Sequence, residues 1–110
     1  MNDKISLDPE GFEVSTNNRQ DYVKWRDVES VFAYKSDLFT VDLICMIVEK
    51  QDSKVVNMHE DMDGWREFVD VLPNHLHGCR KFDDWFFAVA FPAFETNPIQ
   101  IYKALHAGND

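Results

Sequence analysis

His75, His77 and Cys79 stand at alternate positions in the run His75-Leu76-His77-Gly78-Cys79, and they supply two imidazoles and a thiol, ligand types that zinc and other borderline metals take. His59 or Asp84 would complete a four-ligand set. On a helix, alternate residues point about 200° apart and cannot share an ion, so such a cluster needs an extended backbone. Zinc sites also draw on a second ligand pair at short spacing, and the chain has none at a recognised spacing. Read without a metal, the segment is an exposed helix end whose histidines suit the negative pole of the helix. His75, His77 and Cys79 are thus the metal candidates, and the expectation is a protein with no metal and no other cofactor.

Paired acids are the next chemistry to weigh. Glu60, Asp61 and Asp63, and then Asp83 and Asp84, have the types needed for general acid–base work or for magnesium. Both groups fall where a helix is predicted to start, and there carboxylates cap free amide groups and complement the dipole without catalysis. Cys45 lies between Ile44 and Met46, and an apolar setting raises a thiol pKa and makes it a poor nucleophile. The chain contains no nucleophile elbow, phosphate loop, paired zinc knuckle or dinucleotide fingerprint. An enzyme is therefore the less favoured reading, with a metal-dependent one on His75, His77 and Cys79 as the alternative.

Binding is better served than catalysis. Phe86, Phe87, Phe91 and Phe94 put four rings within nine residues, more than one helix face can bury, so part of this stretch is expected to form an apolar docking patch. Leu38 and Phe39 sit at a predicted hairpin tip, where apolar side chains imply packing under the sheet or a partner. Leu38, Phe39, Phe87 and Phe91 are accordingly the candidate protein-binding residues. Trp25, Trp65 and Trp85 each occupy an apolar-periodic position and read as core.

These residues need a scaffold, and 110 residues make one domain spanning 1–110. At that size roughly two thirds of the unfolded surface is buried on folding, enough for a core without staples. Apolar residues form 45% of the chain and aromatics 14%, which excludes disorder as the default. Eleven basic against twenty acidic residues give a net charge of −9, so nucleic acid and anionic membranes are repelled at long range. The same field steers a cationic partner inward, although most acidic small proteins are merely soluble. Met1–Ile5 shows neither a basic segment nor an apolar run, and the longest apolar stretch, Leu43–Val48, is far short of the roughly 20 residues of a spanning helix. A cytoplasmic protein with two free thiols is the expectation.

Period-two alternation marks a hairpin over Lys4–Asp8 and Phe12–Val14, closed by Asp8-Pro9-Glu10-Gly11, and a third strand over Tyr22–Trp25. Val28–Lys35 and Thr40–Glu49 read as two long neighbouring strands. In the second, Val41, Leu43, Cys45 and Ile47 oppose Ile44, Met46 and Val48, so both faces are apolar and both need cover. Lys54–His59 is a shorter strand. From Asp61 the period becomes helical, with Met62, Trp65, Phe68, Val69, Leu72 and Leu76 on one stripe. Asp61 or Asp63 is expected to cap this helix, and Pro73 to stop or kink it near Leu72 before Gly78 ends it. Phe82, Trp85, Phe86, Val89 and Ala90 predict a second helix. Asn97-Pro98 reads as the start of a third, stopped by Gly108, although Ile99 and Ile101 also alternate as a strand would.

Meandering strands followed by helices predict an α+β fold: a curved antiparallel sheet of about six strands, split-barrel-like, capped by the Met62 helix, with a helical C-terminal segment. The pattern Gly11-Phe12-x-Val14, then Val23-x-Trp25-x-x-Val28-x-x-Val31, then a long apolar strand, a short strand and a helix resembles the small bacterial pleckstrin-homology-like domains over residues 4–76. The basic lip of the phosphoinositide-binding members is missing, so the resemblance does not extend to lipid. In size, charge and layout the chain is also similar to small acidic immunity proteins of bacterial toxin systems. The functional expectation is a non-catalytic module that binds another protein or itself, as an immunity or regulatory partner, with a small-molecule binder in a sheet–helix cleft as a further alternative.

Overall fold

The computed structural model of the chain describes residues 3–37, 42–90 and 98–105. Lys4–Asp8 (β1) and Gly11–Ser15 (β2) form the expected hairpin, and Gln20–Lys24 (β3) pairs antiparallel with β2. Asp8 sets the first turn: its Oδ1 accepts from the Glu10 and Gly11 amides at 2.8 and 2.9 Å and from the Tyr22 hydroxyl at 3.0 Å. These bonds, the Glu10 amide foremost, hold the Asp8 carboxyl below its ordinary value. Gly11 is required here because a Cβ would strike the Val23 carbonyl oxygen across the hairpin.

A 3₁₀ turn, Trp25–Asp27, then breaks the meander and redirects the chain into a second sheet. Val28–Asp37 (β4) pairs antiparallel with Asp42–Lys50 (β5), and β5 pairs with Val55–His59 (β6). On its other edge β4 pairs with Ile99–Lys103 (β7), so the order is β6-β5-β4-β7. The single sheet of about six strands expected from sequence is thus corrected to seven strands among the described residues, in two antiparallel sheets of three and four. The helix expected from Asn97-Pro98 is a strand over Ile99–Lys103, because β4 presents an unpaired edge whose backbone groups must be satisfied. Ile101 fills the core from there.

Trp65–His75 (α1) carries the predicted stripe, with Trp65, Phe68, Val69 and Leu72 buried. Its start differs from expectation. Neither Asp61 nor Asp63 caps it; Gly64 does, in the left-handed region at φ 87°, with no side-chain cap. The reason is a close approach, since a Cβ at Gly64 would collide with the Ile5 carbonyl oxygen. There the Ile5 amide donates to the Asp63 carbonyl at 2.7 Å and the Asp63 amide to that of Asp3 at 3.0 Å, tying β1 to the segment after β6. Pro73 does not end the helix near Leu72 but lies inside its last turn, where it removes one hydrogen bond. Phe82–Ala90 (α2) forms as predicted, with Asp83 and Asp84 in its first turn.

One core holds the two sheets and both helices together. The inner face of β4, β5 and β6 gives Val31, Ala33, Met46, Val48 and Met58, the hairpin sheet gives Phe12 and Val23, and the helices give Phe68, Leu72, Trp85 and Val89. Phe12 lies 4.8 Å from Phe68 and 5.0 Å from Trp25, ring to ring, so three elements meet on one aromatic cluster. Among the described residues, no helix is long and apolar enough to cross a membrane.

Candidate functional site

Strand alternation sends Phe32 and Tyr34 of β4 to the face opposite Val31 and Ala33, and register places Phe32 beside Ile47 and Tyr34 beside Cys45. Continuing across β6, Ile47 faces Asn57 and Glu49 faces Val55. The result is an outer sheet face carrying Phe32, Tyr34, Leu43, Cys45, Ile47 and Val55, whereas the cluster that contains both helices is built on the inner face. Phe32, Tyr34, Leu43 and Ile47 are only half-buried, and Val55 on the edge strand is 49% exposed. Phe32, Ile47, Glu49, Val55 and Pro98 line a shallow apolar depression of about 310 Å³. The Ser30 hydroxyl donates to Glu49 at 2.8 Å, fixing that carboxylate on this face. The sequence reading required cover on both faces of β5. Among the described residues only its inner side is fully sealed.

Of the predicted docking residues, Phe87 on α2 is 64% exposed and meets Phe86 edge to face at 5.6 Å. Leu38, Phe39 and Phe91 lie outside the described residues. Phe32, Ile47 and Val55 were missed as a surface, although the all-apolar alternation of β5 carried the signal.

The metal candidates are placed in three different settings. His75 ends α1 and lies flat on Trp25, ring centroids 4.3 Å apart and planes 3° apart. His77 is exposed. Cys79 is buried, its thiol pushed up to about 11 by burial, with Sγ 3.5 Å from the Arg80 carbonyl it donates to. Such a thiol resists becoming the thiolate a metal needs. Among the described residues, no three His, Cys, Asp or Glu side chains are grouped so as to hold a metal ion. Of the paired acids, Glu60 accepts from the Ile44 amide at 2.7 Å, which completes the end of β5. Burial also pushes the Cys45 thiol up, and the Tyr34 phenol beside it.

A second concavity, of about 290 Å³, opens between the β1–β2 turn, the 3₁₀ turn and the end of α1. Pro9, Glu10, Lys24, Trp25, Arg26 and His75 line it. Compared with the models of known families, with curated proteins and with solved structures, the chain matches none.

Proposed function

We propose that this chain is a non-catalytic protein-binding module, and that it docks a basic protein through the outer face of β6-β5-β4-β7. The observation that carries the reading is the half-exposed apolar row of Phe32, Tyr34, Leu43, Ile47 and Val55, since a sheet face of this composition gains free energy when a second surface removes it from water. The net charge of −9 chooses between occupants. A second copy brings the same negative field and is repelled, whereas a basic partner is drawn in. Phe87, 64% exposed on α2, is a separate apolar position on the helix side of the sheet. An immunity or regulatory protein that masks a basic target fits this chemistry. The architectural part of the proposal is a split barrel of pleckstrin-homology-like character, its halves the two sheets, supported by the Ile5–Asp63 bonding that links β1 to the end of β6.

The test compares wild type with the Val55→Asp and Phe32→Ala variants as bait in native lysate, with each recovered protein identified and sedimentation run in parallel. A stoichiometric basic partner that binds wild type, weakens with salt and is lost from both variants supports the proposal. Recovery of no partner, of an acidic one, of one the variants retain, or self-association through the same face overturns it.

A further inference from the structure

We infer that the cavity between the β1–β2 turn and the end of α1 is a binding site for a small phosphate anion, inorganic phosphate or a phosphate monoester. Three features of the lining converge on that chemistry, and none belongs to the docking face proposed above. Lys24 and Arg26 flank Trp25 on the cavity wall, and neither makes an ion pair among the described residues, although the chain carries twenty carboxylates. Two unpaired cations side by side are a ready receptor for an anion, with the Arg26 guanidinium able to bind two oxygens at once.

Trp25 itself is only 7% exposed, and its indole N–H is a buried side-chain donor without an acceptor among the described residues. That N–H is closed off from solvent within the cavity wall, so its resonance reports a change in the cavity without itself bonding the anion. His75 is pinned against the same indole by its stack and offers a positioned imidazole. Glu10 is the discriminating group. A carboxylate in the lining repels a fully deprotonated anion but accepts a hydrogen bond from the hydroxyl of hydrogen phosphate, or of a monoester below its second pKa of about 6, as it cannot from sulfate. The cavity volume, about 290 Å³, stands at the lower limit for small-molecule sites and admits a phosphate with at most a short organic tail.

The experiment follows the three indole N–H resonances of the protein by NMR during titration with inorganic phosphate, glycerol phosphate, sulfate and chloride at matched ionic strength, with the Trp25 signal assigned from a Trp25→Phe variant. A saturable shift confined to the Trp25 signal with phosphate or the monoester, and affinity reduced about tenfold or more in Lys24→Gln and Arg26→Gln, supports the site. Whichever of the two phosphates binds tighter names the source. Among the described residues Lys24 and Arg26 make no side-chain hydrogen bond or ion pair, and unmoved Trp65 and Trp85 signals report an intact core. No saturable shift, equal responses to phosphate, sulfate and chloride, or a response kept by a Lys24→Gln/Arg26→Gln double variant overturns the inference.

Discussion

The His75 imidazole lies face to face on the Trp25 indole, 4.3 Å between centroids, and so fastens the last turn of α1 to the 3₁₀ turn that separates the two sheets. Trp25 is in turn stacked near Phe68 of the same helix, at 6.3 Å and 15°. The helix therefore ends against an aromatic anchor although Pro73 has removed one of its hydrogen bonds. His75→Ala is expected to lose about 0.5–1.5 kcal/mol, the worth of an aromatic pair beyond its buried area. Urea unfolding checks this: the midpoint should fall while the slope stays the same, and His75→Phe should restore most of the loss.

Gly64 and Gly78 both have positive φ, 87° and 85°, yet they should respond differently to alanine. At Gly78 an added Cβ meets nothing within 4 Å among the described residues, so Gly78→Ala carries only the left-handed cost of about 1–2 kcal/mol. At Gly64 the methyl group is driven into the Ile5 carbonyl, and relief requires parting β1 from Asp63. Gly64→Ala should therefore lose roughly 3 kcal/mol or more. Equal losses in thermal unfolding of the two variants would show that the β1–Asp63 junction yields freely.

What the chain revealed in advance follows the physics of each element. Strands β1 to β6 and both helices were legible because their apolar residues recur at two or at three-to-four within one segment. β7 was not, since Ile99-Gln100-Ile101-Tyr102-Lys103 becomes a strand through the open edge of β4, a partner far away in sequence. Gly64 displaced the expected aspartate caps for a similar reason, because the carbonyl that demands a glycine belongs to β1. The cavity was invisible for the same cause. Lys24, Arg26 and Glu10 carry no local motif, and only the stack of His75 on Trp25 closes the wall between them.

Phe68 and Phe87 share a residue type and differ in surroundings. Phe68 is fully buried against Phe12, so Phe68→Ala leaves a cavity among rings and should cost about 3–5 kcal/mol. Phe87 is 64% exposed, and Phe87→Ala should change stability by less than about 1 kcal/mol, the lost edge contact with Phe86 included. Denaturant titration of both variants decides the matter. A large loss at Phe87 would place it in the core and remove it from the docking surface.

Cys79 gives the alkaline limb of stability a sign that can be worked out. Its thiol has an ordinary value of 9.0 and is raised by burial to about 11 in the folded chain. Below pH 9 the thiol is protonated folded and unfolded, and its contribution is fully present. Between pH 9 and 11 the unfolded chain releases the proton while the folded chain keeps it, so unfolding is favoured and stability declines as pH rises. Burial also raises Tyr34 and Tyr102, and desolvation raises Tyr22, so tyrosines add a decline of the same sign. That part is common to wild type and Cys79→Ala and cancels in their difference. The removed thiol shifts the variant by a constant at low pH, so the readout is the slope of the difference, not its size. Unfolding free energies measured for both proteins across this range should converge as pH climbs, wild type falling faster. Parallel curves would mean that Cys79 meets water in the folded state and is not sealed within the core.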